Sequence, residues 1–193
     1  MVDRLARAVL PAALALALIG GGPLSAAAFL EVDYQDPLTA APPLPRPPTP
    51  SCTLRLMQHD FASSFGKPFV GSYTPPTACP APWSMVVLDW NGSVAGRQFD
   101  RLIGVWIGGV EVLRSTTPEP SPAGIKWHVE KEVSQYAPIL TEPQTVVVDL
   151  GNVVNNTFTG IFHTSLDLTF YTTGAGNPPT AHPDQVIPIS TGS

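Results

Sequence analysis

The sequence predicts an all-β fold, and three observations carry that expectation. The 193 residues include 23 prolines, and a proline inside a helix removes a donor and clashes with the preceding turn. From Ser51 onward, apolar side chains recur mostly at every second position, the period of a half-buried strand. The segments with that period are short and end at Pro- or Gly-rich stretches, as strands joined by turns do. With 44% hydrophobic residues, the chain can bury a core and is not wholly disordered. A net charge of -5 with 10 Lys+Arg leaves no basic footprint for a phosphate backbone, which argues against nucleic-acid binding.

The elements follow in chain order. Arg4 and Arg7 precede the apolar run Ala8–Ile19, then Gly20–Pro23 and the small residues Ser25–Ala28. That order predicts a secretory signal peptide over 1–28, cleaved after Ala27 or Ala28, or a retained signal anchor. The expected location is therefore secreted or in the secretory pathway, membrane-anchored if the leader stays. The sequons Asn91-Gly92-Ser93 and Asn155-Asn156-Thr157 fit that route as glycosylation sites. Residues 29–50 end in a run from Pro42 to Pro50 that predicts an extended polyproline spacer. The folded domain is expected over 51–190.

Leu54 and Leu56 mark a first strand. Met85–Trp90, Phe99–Ile107, Val110–Arg114 and Thr145–Leu150 are rich in β-branched and aromatic residues and predict four more. Gly108-Gly109 predicts the hairpin turn between two of them. Ile125, Trp127 and Val129 alternate with Lys126, His128 and Glu130, as Leu166, Leu168 and Phe170 do with Ser165, Asp167 and Thr169. Only Lys131–Leu140 looks helical, with Pro138 expected to end it. Short strands between Pro/Gly loops predict an antiparallel jelly-roll sandwich. The absence of a long repeat argues against a propeller. The sequence also lacks a G-x-G-x-x-G, a Walker loop, an H-E-x-x-H and a G-x-S-x-G, which removes the common nucleotide, zinc-protease and serine-hydrolase readings.

Polar groups that interrupt a strand pattern are the candidates for chemistry. Asp100 and Arg101 open an otherwise apolar strand, where an acid and a guanidinium cost desolvation unless paired or exposed. They form either a loop cap with a peripheral salt bridge or a site. Alternation places Asp100, Leu102, Gly104 and Trp106 on one face, and Arg101, Ile103, Val105 and Ile107 on the other. His59 beside Asp60 is an acid–base element or a strand-ending turn cap. Glu111, His59 and Trp106 are the candidate substrate contacts. His128 and His163 lack the spacing of metal ligands, so no metal is expected. Cys52 and Cys79 form a disulfide in an oxidising compartment, or remain two buried thiols. Trp83, Trp90, Trp106 and Trp127 can stack on sugar in a non-catalytic binding module, although at least two are expected to be core.

Leu56-Met57-Gln58-His59-Asp60-Phe61, Cys79-Pro80-Ala81-Pro82-Trp83, and Phe99-Asp100-Arg101 through Gly108-Gly109-Val110-Glu111-Val112-Leu113-Arg114 closely resemble one family. It is the peptide-N4-(N-acetyl-β-glucosaminyl)asparagine amidase A family, in its N-terminal domain. Thr116-Thr117-Pro118-Glu119-Pro120 and Asn155–Gly160 fit the same pattern, so the resemblance covers Ser51 to Thr172. It implies hydrolysis of the amide between asparagine and the first N-acetylglucosamine of N-glycosylated peptides, with no cofactor. It also implies two adjacent jelly rolls with the site in the groove between them. The second domain or a partner chain would then come from outside this sequence. Asp100 matches the family's acid–base residue and Arg101 its neighbour. A further family carboxylate falls on Gly151, beside Asn152, and Asp149 is the expected substitute.

Overall fold

The computed structural model describes residues 44–188. The leader and most of the proline-rich spacer lie outside the described residues. Eight strands form the body: β1 (Ser51–Phe61), β2 (Phe69–Tyr73), β3 (Trp83–Val94), β4 (Leu102–Ile107), β5 (Val110–Thr116), β6 (Ile125–Glu132), β7 (Gln144–Leu150) and β8 (Phe162–Thr172). They build two four-stranded antiparallel sheets, ordered β1-β8-β3-β6 and β2-β7-β4-β5. Successive strands switch sheets at every connection except the β4–β5 hairpin. This winding is that of the jelly roll, as the sequence predicts. Among the described residues no helix is long and apolar enough to cross a membrane.

The core lies between the sheets. Leu88, Trp90, Leu166, Leu168 and Phe170 enter it from one side, and Ile103, Val105, Ile107, Val146, Val148 and Leu150 from the other; all are buried. Period-two alternation fixes this arrangement, because a one-residue slip would turn each apolar set to solvent. Trp90 and Trp127 meet edge to face at 5.4 Å. Trp127 can lie over its neighbouring strand only because Gly92 has no Cβ; one placed there would fall 2.0 Å from the indole.

Several elements differ from the sequence expectation. β2 was not predicted: it has five residues, one of them Gly71, beside Pro68. β4 starts at Leu102, so Asp100 and Arg101 precede the strand that was expected to begin at Phe99. β1 continues through Gln58, His59 and Asp60, which therefore cap no turn. Lys131–Leu140 is not one helix, because β6 runs to Glu132 and is followed by a 3-10 turn (Ser134–Tyr136) and α1 (Ala137–Leu140). Pro138 lies in the first turn of α1 and does not end it. A missing N–H costs nothing there, since those donors have no intrahelical partner.

Cys52 and Cys79 are joined in a disulfide, with Cα atoms 6.1 Å apart and a sequence separation of 27. The bridge ties the start of β1 to the β2–β3 loop. Closing a loop of that size limits the unfolded chain by about 3–4 kcal/mol. Replacing Cys79 with Ser is therefore expected to lower the free energy of unfolding by an amount of that order, read from the shift of the urea midpoint. Adding reductant to the unaltered chain should move the midpoint equally.

The end of the spacer lies on the outer face of the β1-β8-β3-β6 sheet. Arg46 reaches Glu130 at 2.8 Å and Asp89 at 3.3 Å, and its guanidinium lies 5.9 Å from the Tyr171 ring centre. Partial burial pushes the Glu130 carboxyl upward, but the hydrogen bond and charge of Arg46, with the Leu44 N–H and His128, outweigh it and hold Glu130 below its ordinary value. A carboxylate depressed in the folded state adds stability above its unfolded pKa and loses it as pH falls through the folded one. Acidification into the carboxylate range is thus expected to free Leu44–Pro50, seen as faster amide exchange at Leu44. In Arg46→Gln that exchange should be fast at every pH.

Candidate functional site

Four connections gather at one end of the sandwich: β1–β2, β3–β4, β5–β6 and β7–β8. Jelly rolls carry their sites on such loops, over a scaffold fixed by the sheets. Asp100 sits in the β3–β4 loop, exposed. No hydrogen bond or ion pair engages its carboxylate among the described residues.

The loop itself is firmly held. The Arg101 N–H donates to Thr117 Oγ1 at 2.9 Å, and the Thr117 N–H donates back to the Arg101 carbonyl at 2.8 Å. The Asp100 N–H donates to Glu119 Oε2 at 3.2 Å. Beneath it, the buried Gln98 amide donates to the carbonyls of Val153 (3.0 Å) and Gly160 (3.3 Å), bracing the β3–β4 loop against the β7–β8 loop. Buried Asn152 adds bonds to the carbonyls of Phe61 (2.9 Å) and Gly160 (3.0 Å). Buried polar groups satisfied in this way specify one loop geometry.

Arg101 does not pair with Asp100. Its guanidinium donates to Gln98 Oε1 and lies 5.9 Å from the Phe99 ring centre. It therefore supports the loop from behind. Phe99, half open to solvent, tilts against Phe158 at 5.1 Å, which in turn has the Arg97 guanidinium 5.8 Å away.

The outer face of the β2-β7-β4-β5 sheet extends from this loop. Leu102, Gly104 and Trp106 point outward and Ile103, Val105 and Ile107 inward, as alternation predicts. Gly104 pairs with Asp149 on β7 and Arg114 on β5, and Trp106 pairs with Val147 and Glu111. The Trp106 ring covers Gly104, leaving 2.2 Å for a Cβ, and Glu111 forms an ion pair with Arg114 at 2.8 Å. Leu102 and Val70 stand 65% and 64% exposed here, so the face mixes open apolar side chains with charge. Asp149 is on this face, but roughly 13 Å along the strand from Asp100 at about 3.3 Å per residue. Gly151, where the resemblance leads one to expect a further carboxylate, has the Phe65 ring 3.2 Å from where a Cβ would stand.

His59 is not brought to Asp100 by any contact. It faces inward at the sandwich edge, 4.7 Å from Phe61 and 5.3 Å from Phe69 between ring centres. Asp60, pointing the other way, accepts from His163 Nδ1 at 2.7 Å. A depression of about 540 Å³ is at the same end but beside the other sheet, lined by Ser93, Lys126, Thr159 and His163 among others. Asp89, His128 and Glu130 place ligand atoms within 4.8 Å of one another, yet Arg46 already bonds both carboxylates. Trp83, Trp90 and Trp127 are buried. Asn91 is on the outer face of β3, paired with His128 and Ser165. Asn155 is in an exposed turn whose Thr157 and Phe158 N–H groups donate to its side-chain oxygen. Sequence reasoning assigned no role to Glu119, Gln98 or Thr117. Thr117 and Glu119 fall in the Thr116–Pro120 segment quoted above, but nothing local to that segment points to Asp100.

The two sheets and their winding define the class: a jelly-roll β-sandwich whose loop end carries the exposed carboxylate of Asp100. Residues 40–193 match the family of peptide N-acetyl-β-D-glucosaminyl asparaginase amidase A, and the chain belongs to that family. It is 47% identical over 131 residues to the peptide-N4-(N-acetyl-β-glucosaminyl)asparagine amidase A of Prunus dulcis, covering 67% of this chain and 23% of that protein. The chain therefore spans about a quarter of the length of this curated relative. Among solved structures, a turnip yellow mosaic virus chain is similar at 11% identity, with a TM-score of 0.24 over 70% of this chain and 87% of that one. So loose an overlap carries no argument.

Proposed function

We propose that this chain is the N-terminal half of the site of an amidase that removes N-glycans from peptides. The amide between asparagine and the first N-acetylglucosamine takes up water, giving an aspartyl side chain and a glycosylamine. The observation that carries the reading is Asp100: a carboxylate open to solvent, with no partner, on a loop braced from both sides. Such a group can take the proton of the attacking water and return it to the departing nitrogen. Asp149 and Glu111, with the Trp106 ring between them, then belong to the peptide or outer-sugar contacts. His59 acts at one remove, packing the sandwich edge.

A second domain supplies the other wall of the groove. The β2-β7-β4-β5 face, where Leu102 and Val70 are exposed at separate points, is the face proposed to meet it. The disulfide supports an oxidising, secretory compartment, where N-glycosylated substrates and the sequons Asn91 and Asn155 belong. A non-catalytic sugar-binding module is the second reading, favoured by the half-buried Trp106.

The test is incubation of the 193-residue chain with an N-glycopeptide, alone and with the remaining part of the almond relative. An aspartyl peptide and free glycan, weighed by mass spectrometry in either mixture, support the amidase. Glycan binding with no product in either mixture points to the second reading and overturns the first.

A further inference from the structure

Resting on the amidase reading, we propose that Glu119 is the sugar-anchoring carboxylate of the site, receiving the first N-acetylglucosamine beside Asp100. Glu119 Oε2 accepts the Asp100 N–H at 3.2 Å, so the two acids share one loop contact. Its other oxygen has no hydrogen-bond partner among the described residues, and the residue is exposed. The carboxylate is also held in place. Pro118 precedes Glu119 and Pro120 follows it; proline fixes its own φ and confines the residue before it to extended backbone. Two further hydrogen bonds lace Thr117 to Arg101. An acceptor restrained in this way loses little freedom when a ligand binds.

Phe99, next to Asp100 in sequence, presents a half-open ring supported by Phe158 at 5.1 Å. An acetamido sugar offers both matching surfaces. Its hydroxyls and acetamido N–H donate to a carboxylate, and its C–H face and methyl group pack on an aromatic ring. Glu119 thus binds substrate and transition state alike, whereas Asp100 moves the proton. The position escapes sequence reasoning because nineteen residues separate the two acids, and only the β5–β6 loop brings them together.

The experiment uses the full chain carrying Asp100→Asn, which holds substrate without turnover, and a peptide bearing a single N-acetylglucosamine on asparagine. Adding Glu119→Gln keeps an oxygen for the residue-100 N–H but turns the free acceptor into a donor. A charged hydrogen bond lost to substrate is expected to weaken binding about 10- to 100-fold by calorimetry, with affinity for the unglycosylated peptide unchanged. Glu119→Ala separates the roles of the two oxygens. If Ala weakens binding and Gln does not, Glu119 only braces the loop and the proposal is overturned. Equal binding by all three proteins overturns it too. If the Glu119-intact protein cannot distinguish glycosylated from bare peptide, the amidase reading fails first and this inference falls with it.

Discussion

Asp100→Asn is expected to stop release of glycan from an asparagine-linked glycopeptide while leaving the thermal midpoint unchanged. Both halves follow from the same geometry. The carboxylate is exposed and unpartnered, so exchanging it for an amide of equal size removes no folding contact. The loop is held by backbone and by Thr117, Glu119 and Gln98, none of which senses the residue-100 side chain. Amide hydrolysis without a proton acceptor and donor loses the roughly 10²–10⁴-fold that positioned acid–base groups provide. A fall of at least about 100-fold should therefore appear in the rate, followed by mass spectrometry in whichever mixture shows turnover. A variant that keeps the rate would remove Asp100 from the chemistry. A variant that loses both rate and folding would make the residue structural.

Trp90→Ala carries the largest expected cost to stability. Trp90 is fully buried on central strand β3, flanked by β6 and β8, and meets Trp127 edge to face. Truncation removes its transfer energy and leaves a cavity that neighbouring strands cannot collapse into, because both are pinned by their ladders. A loss of about 3–5 kcal/mol is expected, set against a total of about 5–15 kcal/mol for an ordinary domain. Denaturant unfolding followed by far-ultraviolet circular dichroism measures it. A loss below about 1 kcal/mol would mean that the β3 face is not packed as described.

The long strands were legible in sequence because one face of each is buried and the other wet. Ile125–Glu130 and Ser165–Phe170 alternate cleanly for that reason. β1 shows where such reasoning stops. A bulge between Arg55 and Met57 inserts Leu56 as an extra residue, so both Leu56 and Met57 are buried. Continuing the alternation from Leu54 and Leu56 would turn His59 outward, whereas the bulge turns it in and sends Asp60 out to His163. Local patterning cannot reveal such a shift, since the register is set by β8, about a hundred residues away. β2 escaped notice because five residues on a sheet edge carry too little pattern. At the site, Asp100 was legible as a charge opening an apolar strand. Its partners were not: Arg101 turns to Gln98, and Glu119 arrives from another loop.

β8 is the last of the eight described strands in chain order, yet it occupies an inner place in its sheet, between β1 and β3. A nascent chain halted anywhere before Phe162 thus has two facing edges and nothing to zip them. Asn91, joined on one side to Ser165 of that strand, stays reachable through this interval and becomes locked into a ladder afterwards. Any enzyme that must grip its sequon as loose peptide has to act during synthesis. Asn155, on a turn outside both sheets, imposes no such deadline. If both asparagines are glycosylated, how fully each is modified would act as a clock, reporting how long the unfinished sandwich waits for β8.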